Sequence, residues 1–300
     1  MHQTNTKHTP VLLREVLQYL EPKPGETYLD VTAGYGGHAQ AVQAHTHGWP
    51  VVLVDRDEMA VAYLQQKFAN HNCEIRRQDF LSASQELVAE HRAFDMILAD
   101  LGVSSPHLNI TSRGFTFQTE GPLDMRMDQR QLLTAETIIN SSSEIELQRI
   151  LRDYGEEPRA KRIARAIVEQ RPLHTTTELA HLVARQWPGR SKVHPATRTF
   201  QALRIAVNDE LAMLKATLPL WIELLKPGGR LAIISFHSLE DRLVKQALSD
   251  RAGNRYDAEL RLLTKRPVTG NPHEIAFNPR ARSAKLRAAV KIKTKKKGST

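Results

Sequence analysis

Residues 29–40 read LDVTAGYGGHAQ. An apolar run stops at Asp30, Gly34, Gly36 and Gly37 follow within a few positions, and a helix-like stretch begins at about Ala39. This is a strand turning through a glycine loop into a helix, and open α/β sheets bind ligands at the carboxyl ends of such strands. The glycines reach backbone conformations closed to other residues and let a ligand approach the main chain. Asp55 ends the next apolar run, about 20 residues on, where a carboxylate can accept both ribose hydroxyls of an adenosine. The competing reading is a plain glycine turn with Asp55 capping the following helix. In GYGGHA the third glycine of GxGxxG is missing, with His38 and Ala39 following the glycine pair, and no phosphate-loop Lys-Ser/Thr follows. The pattern therefore suits S-adenosylmethionine better than NAD, ATP or GTP.

Outward from this loop, ETYLDV (26–31), PVVLVDRD (50–57), CEIRRQDF (73–80) and FDMILADLGV (94–103) read as strands, and EMAVAYLQQKFAN (58–70) as a helix. Such alternation predicts a parallel sheet of the doubly wound kind. Upstream, Thr9 as N-cap and Pro10 at the first helical position predict a helix over VLLREVLQYL, with Leu12, Leu13, Val16, Leu17 and Leu20 as its apolar stripe. The next strong strand is GRLAIISF (229–236), introduced by the turn KPGG. About 130 residues separate it from Asp100, far more than one crossover needs. A second, mainly helical unit is therefore expected inside the first. Its helices are SSEIELQRILRDYG, EPRAKRIARAIVEQ, TTELAHLVARQW and a long string from Thr197 to Leu225 that returns to the sheet. The boundaries read as 1–110 and 215–288 for the sheet domain, 111–214 for the insert and 289–300 for a basic disordered tail.

Composition narrows the function classes. The formal charge of +9 lies partly in the tail KIKTKKKGST, but the insert is also Arg-rich, with arginines interleaved among apolar residues. A folded basic surface of that kind favours a nucleic-acid partner. No apolar run approaches the roughly 20 residues of a membrane span, and the N-terminus has no apolar leader. The single cysteine, Cys73, excludes an internal disulfide and any multi-thiolate zinc site, and the 13 histidines show no metal-ligand spacing. The expectation is a cytoplasmic protein with no metal.

Asp100 closes the fourth strand, so its carboxylate should project over the same pocket, followed by the proline-stopped loop LGVSSPHL. A capped turn, with Asp100 binding backbone N–H groups, is the plainer alternative. These stretches, with HTPVLLREVL, RGFTFQTEGPLDMRMD, YGEEPRAKRIARAIV, HPATRTFQALRIAVNDEL, PGGRLAIISFHSLEDRLVK and NPRARSAKLR, occur in order from His8 to Arg287. The chain thereby resembles the bacterial 16S ribosomal RNA cytosine-N4 methyltransferases. The resemblance implies a class I S-adenosylmethionine-dependent (Rossmann-like) methyltransferase fold with an inserted helical substrate domain. It implies methyl transfer to the exocyclic N4 amine of one decoding-centre cytidine of 16S rRNA, within the small ribosomal subunit, and leaves a homodimer open. It also assigns cofactor contacts to Gly36, Gly37, His38, Asp55, Phe80, Asp100 and His107. His107 stands where the family usually has Gln, and Ala39 where it has Ser.

A cytosine amine is a poor nucleophile because its lone pair is conjugated into the ring. Acceptors on its N–H groups localise that lone pair, and a nearby acceptor must take the proton released on transfer. Asp100 or main-chain carbonyls of LGVSSP can do this, and His237 at the end of the fifth strand is another candidate. The Asp/Asn-Pro-Pro-aromatic loop of many amino-methylating enzymes is absent, so Asp100 is the catalytic candidate rather than a motif. The base must reach the donor unpaired or flipped, and Phe115, Phe117, Tyr154 or Phe236 can stack on it if not buried in the core. Arg113, Arg126, Arg198 and Arg204, with His194, are the candidate RNA contacts. Arg198, Gln201, Arg204 and Asn208 share one helix face, against an ordinary solvated face as the bland reading. Glu157 and Lys161 suit an i,i+4 pair, and Ser238-x-x-Asp241 a capping box. The remaining alternatives are the same fold acting on DNA or a small molecule, a nicotinamide oxidoreductase and a non-catalytic RNA-binding assembly factor.

Overall fold

The computed structural model describes residues 10–47, 50–103, 110–187, 189, 193–253 and 256–292. The chain forms two compact units, Met1–Gly102 with Ala212–Thr300, and Val103–Leu211.

The first unit is built on a seven-stranded sheet. Its strands are β1 (Tyr28–Asp30), β2 (Val51–Asp55), β3 (Cys73–Arg77), β4 (Phe94–Asp100), β5 (Leu225–Ser235), β6 (Leu260–Leu262) and β7 (Lys285–Lys291), in the order β3-β2-β1-β4-β5-β7-β6. β1 pairs in parallel with β2 and β4, while β7 runs antiparallel to β5 and β6. This is the doubly wound, Rossmann-like sheet expected from the sequence, with one antiparallel strand, β7, beside β5. Its central strands β1, β2 and β4 and the end of β5 read as nearly unbroken apolar runs because both faces are covered. Leu29, Val52, Val54, Ile97 and Ile233 point into one core, with Leu87, Leu218 and Trp221. Tyr28, Val51, Leu53, Met96 and Ile234 point into the other, with Val16, Leu20, Val42 and Leu64. The chain leaves β1 toward β2 and β3, then returns to β4 on β1's other side. The carboxyl ends of β1 and β4 thus flank the topological switch point, where such sheets bind ligands.

Several boundaries differ from the sequence reading. The first helix, α1 (Leu13–Leu20), begins after Leu12, which takes φ 53, rather than at Pro10; Thr9 lies outside the described residues. α2 (Gly37–Thr46) starts inside the glycine pair. α3 (Glu58–Lys67) is capped by Asp57, whose side chain accepts the Met59 and Ala60 N–H groups, so capping does not fall to Asp55. Phe80 opens a helix, α4 (Phe80–Ala89), capped by Asp79, instead of ending a strand. KPGG is a bulge within β5: Phe94 pairs with Leu225 and Met96 already with Arg230. The expected tail begins too early at 289, because Ala289, Val290 and Lys291 complete β7; residues 293–300 lie outside the described set.

The second unit is helical: α5 (Ala135–Ser141), α6 (Glu144–Gly155), α7 (Ala160–Gln170), α8 (Thr176–Arg185) and α9 (Ala196–Asn208). Leu147, Leu151, Ile163, Ile167, Leu179, Val183 and Leu203 form its core, joined by Phe115, Leu123 and Met125 from the segment before α5. The long string from Thr197 is two helices, because Asp209 takes φ 49 before α10 (Glu210–Glu223) begins. The box predicted at Ser238 and Asp241 is shifted by one residue: His237 and Glu240 cap α11 (Ser238–Asp250). Glu157 accepts the Arg159 N–H at 2.9 Å rather than pairing with Lys161.

Candidate active site

The site forms at the carboxyl ends of β1 and β4. β1 delivers Asp30, fully buried, whose carboxylate accepts the Tyr28 hydroxyl at 2.9 Å and the Thr32 N–H at 3.2 Å. Burial pushes the Asp30 carboxyl up to about 6, against the lowering effects of His38 and of the two hydrogen bonds. Burial, reinforced by Asp30, likewise raises the Tyr28 phenol well above its ordinary value. Thr32 Oγ1 accepts the Asp100 N–H at 2.6 Å, tying the end of β4 to the turn after β1.

His38, in the first turn of α2, is buried, and its Nε2 lies 3.6 Å from Asp100 Oδ2. Both His38 ring nitrogens and Asp100 Oδ1 are buried without a hydrogen-bond partner among the described residues. Buried polar atoms are ordinarily satisfied, so three orphans on two apposed side chains mark a place suited to a polar ligand. Arg280, in the one-turn 3-10 helix Pro279–Arg282, feels the same carboxylate: burial lowers its guanidinium, and Asp100 acts to raise it.

The glycine loop is held on two sides. Asp55 Oδ2 accepts the Gly34 N–H at 2.8 Å, and its Oδ1 accepts the Asp57 N–H at 2.9 Å. From the other side Lys67 Nζ donates to the carbonyls of Tyr35 and Gly36, at 3.0 and 3.2 Å. Packing as well as ligand access demands the glycines. A Cβ on Gly36 would lie 2.6 Å from Phe68 Cε2, at φ +67, and one on Gly37 would lie 2.5 Å from Pro10 Cγ. Phe80, half-buried, meets Trp221 edge-on with centroids 5.7 Å apart.

Gly36, Gly37, His38, Asp55, Phe80 and Asp100 therefore all lie in the first unit, with His38 and Asp100 in direct apposition. His107 lies outside the described residues. His237 is taken up as a helix cap: its Nδ1 accepts the Glu240 N–H at 3.4 Å. Phe236 is partly buried, and its ring lies against Gly102. Sequence reasoning missed Tyr28, Thr32, Lys67 and Arg280. For Asp30 a signal was present, an acid closing a wholly apolar strand.

In the second unit the predicted contacts divide. All five Arg126 N–H groups are engaged within the unit, including two bonds of 2.8 Å to Asp124. Arg204 forms a two-point pair with Glu210, both bonds 2.8 Å, with side chains 15% and 9% exposed. Arg113 donates to the carbonyls of Arg126 and Met127. The face expected to meet solvent or RNA is thus largely turned inward: Gln201 binds the Tyr154 carbonyl, and Asn208, buried, binds Met125 and Met127. Arg198 and His194 are exposed; Arg198 donates to the Glu156 carbonyl, and His194 stacks on Phe117. Phe115 is buried, while Phe117 and Tyr154 pack against the core of this unit.

No helix among the described residues is long and apolar enough to cross a membrane. Residues 5–292 match the model of the MraW methylase family. The ribosomal RNA small subunit methyltransferase H of Nostoc sp. (strain PCC 7120 / SAG 25.82 / UTEX 2576) is 48% identical over 289 residues, covering 95% of this chain and 92% of its own. The protein of that name from Heliobacterium modesticaldum (strain ATCC 51547 / Ice1) is 45% identical, covering 95% and 99%. Among solved structures, NSun6 from Pyrococcus horikoshii aligns with TM-score 0.46 at 13% identity, covering 95% of this chain and 53% of that one.

Proposed function

The chain belongs to the MraW methylase family, and from that premise we propose that it methylates the exocyclic N4 amine of a decoding-centre cytidine of 16S rRNA, in the cytoplasm and within the small ribosomal subunit. The coarser part of this reading, S-adenosylmethionine-dependent methylation of small-subunit rRNA, follows the relatives at 48% identity over nearly the whole chain. The observation that carries the finer part is the Asp100 carboxylate, with one buried oxygen unpartnered, at the switch point beside the glycine loop.

S-adenosylmethionine, when bound, supplies a sulfonium methyl already activated for displacement. The residues present suit it. The loop Gly34–Gly37 would accept its approach, Asp55 would receive ribose hydroxyls, and Phe80 would border the adenine. Asp100, supported by Thr32 and His38, would accept an N–H of the cytosine amine, hold its lone pair toward the methyl, and take the released proton. On the second unit Arg198 and His194 remain the contacts best placed for RNA, because Arg126 and Arg204 are committed internally.

Labelled methyl transfer to small-subunit rRNA from a strain lacking the gene, followed by nucleoside analysis, tests the reading. Label in N4-methylcytidine supports it. Label in another nucleoside, or in DNA but not rRNA, would replace it.

A further inference from the structure

The C-terminal segment of the first unit carries an aromatic surface that its own packing does not use. The helix α12 (Pro272–Phe277) is anchored firmly: Glu274 Oε1 accepts the Leu12 N–H at 2.6 Å, Ile275 packs against one sheet core, and Ala281 is fully buried just beyond. Yet Phe277 is 79% exposed, with its ring centroid 4.7 Å from that of His273, also exposed. A phenylalanine held outward on an anchored backbone forgoes the burial its ring would gain in a core.

The segment that carries it is charged almost entirely with one sign. Between Thr264 and Ser283 the basic residues are Lys265, Arg266, Arg280 and Arg282, and the single acid, Glu274, is spent on the Leu12 N–H. Lys265, Arg266 and Arg282 are exposed and have no ion-pair partner among the described residues. Arg280, three residues from Phe277 and so within about 11 Å of chain, is the residue that feels Asp100. Exposed aromatics inside a basic surface are how proteins hold unpaired nucleic acid: every base has a face to stack, and every phosphate a charge to meet.

We infer that Phe277 and His273, with the exposed Lys265, Arg266 and Arg282 of the same segment, form a stacking platform for a single-stranded RNA segment beside the pocket. This deepens the proposed reading and rests on it: the sheet unit, not only the helical insert, holds the substrate strand. An unpaired base next to the target stacks here, and the Arg and Lys side chains hold the phosphates that follow.

The test is binding of a fluorescently labelled single-stranded RNA oligonucleotide, and of its perfect duplex, to the full chain and to Phe277→Ala, Phe277→Trp and Lys265→Ser/Arg266→Ser. Loss of one stacked base should weaken single-strand binding about 5- to 100-fold in Phe277→Ala, with duplex binding unchanged and Phe277→Trp at full affinity with its added fluorescence quenched by RNA. The lysine-arginine variant should flatten the salt dependence of binding. Phe277→Ala binding the single strand within twofold of the unaltered chain would overturn the inference, as would a change in oligomeric state in place of RNA affinity. Methyl transfer by the unaltered chain is measured in parallel. Its failure counts against the proposed activity alone, since platform and oligonucleotide need no turnover.

Discussion

His38 Nε2 lies 3.6 Å from Asp100 Oδ2, and neither His38 nitrogen nor the other Asp100 oxygen has a hydrogen-bond partner among the described residues. An imidazole on the helix after β1 and a carboxylate at the end of β4 meet because those two strands are neighbours in the sheet although far apart in sequence.

Asp100→Asn keeps the shape of the pocket and its Thr32 contact, which uses the Asp100 main-chain N–H. It removes the charge that would accept the amine's proton. The expected outcome is a fall in kcat of roughly 100- to 10,000-fold with RNA affinity unchanged. Single-turnover methyl incorporation and oligonucleotide binding on the same preparation separate the two; a drop in RNA affinity equal to the drop in rate would remove Asp100 from the chemistry.

Gly36→Ala places a methyl 2.6 Å from Phe68 Cε2 and 2.8 Å from Leu64 Cδ2, at φ +67. The backbone strain and the clash together should cost about 2–4 kcal/mol of stability. Because the obstructing atoms are side-chain carbons, Phe68→Leu should recover part of that loss, and the double-mutant cycle by thermal unfolding should show coupling beyond about 0.5 kcal/mol. Additive losses would mean that φ alone demands this glycine.

Arg204 and Glu210 form a nearly buried two-point pair. Arg204→Ala strands the Glu210 carboxylate and should lower stability by about 3–5 kcal/mol, while Arg204→Ala/Glu210→Ala should lose markedly less than the two single changes summed. Denaturant unfolding gives the comparison. A residue whose role was to hold phosphate would instead lose RNA affinity and leave the unfolding midpoint in place.

The same arginine shows where sequence reading stops. Strands β1, β2, β4 and the apolar part of β5 were legible because burial on both faces leaves them unbroken apolar runs. β7 was not, since KLRAAVK carries charge at Lys285, Arg287 and Lys291. Those charges are matched by remote groups: Lys285 and Arg287 face Asp241, and Lys291 Nζ donates to the carbonyls of Ile222, Glu223 and Leu225. A charge paired across the fold looks, in sequence, like a charge meant for solvent or RNA. Arg126 and Arg204 were read as phosphate contacts for that reason, and Lys291 as part of a tail. The site acids were legible for the opposite reason: Asp55 and Asp100 end apolar strands next to a glycine loop and a polar turn, where a carboxylate breaks the apolar pattern at the ligand-binding edge of the sheet. Lys67 and Arg280 reach the site from elements that show no such break.

Asp30, the buried acid that closes β1, supplies a pH dependence. Burial raises its folded-state carboxyl to about 6, above the value of about 3.9 expected in the unfolded chain. The fold therefore favours the protonated form. That contribution to stability is fully present below about pH 4 and is lost as pH rises through about 6. Asp30→Asn cannot ionise; its amide oxygen can still accept the Thr32 N–H, and its NH2 can donate to the Tyr28 hydroxyl oxygen, which then turns from donor to acceptor. The stability of Asp30→Asn relative to the unaltered chain should accordingly climb between about pH 4 and pH 6.5 and level off above it, by up to about 3 kcal/mol for a shift of this size. Unfolding midpoints of both proteins across pH 4 to 8 measure the difference directly. A difference that stays flat across that range would show Asp30 ionised throughout, with the His38 and Tyr28 interactions outweighing its burial.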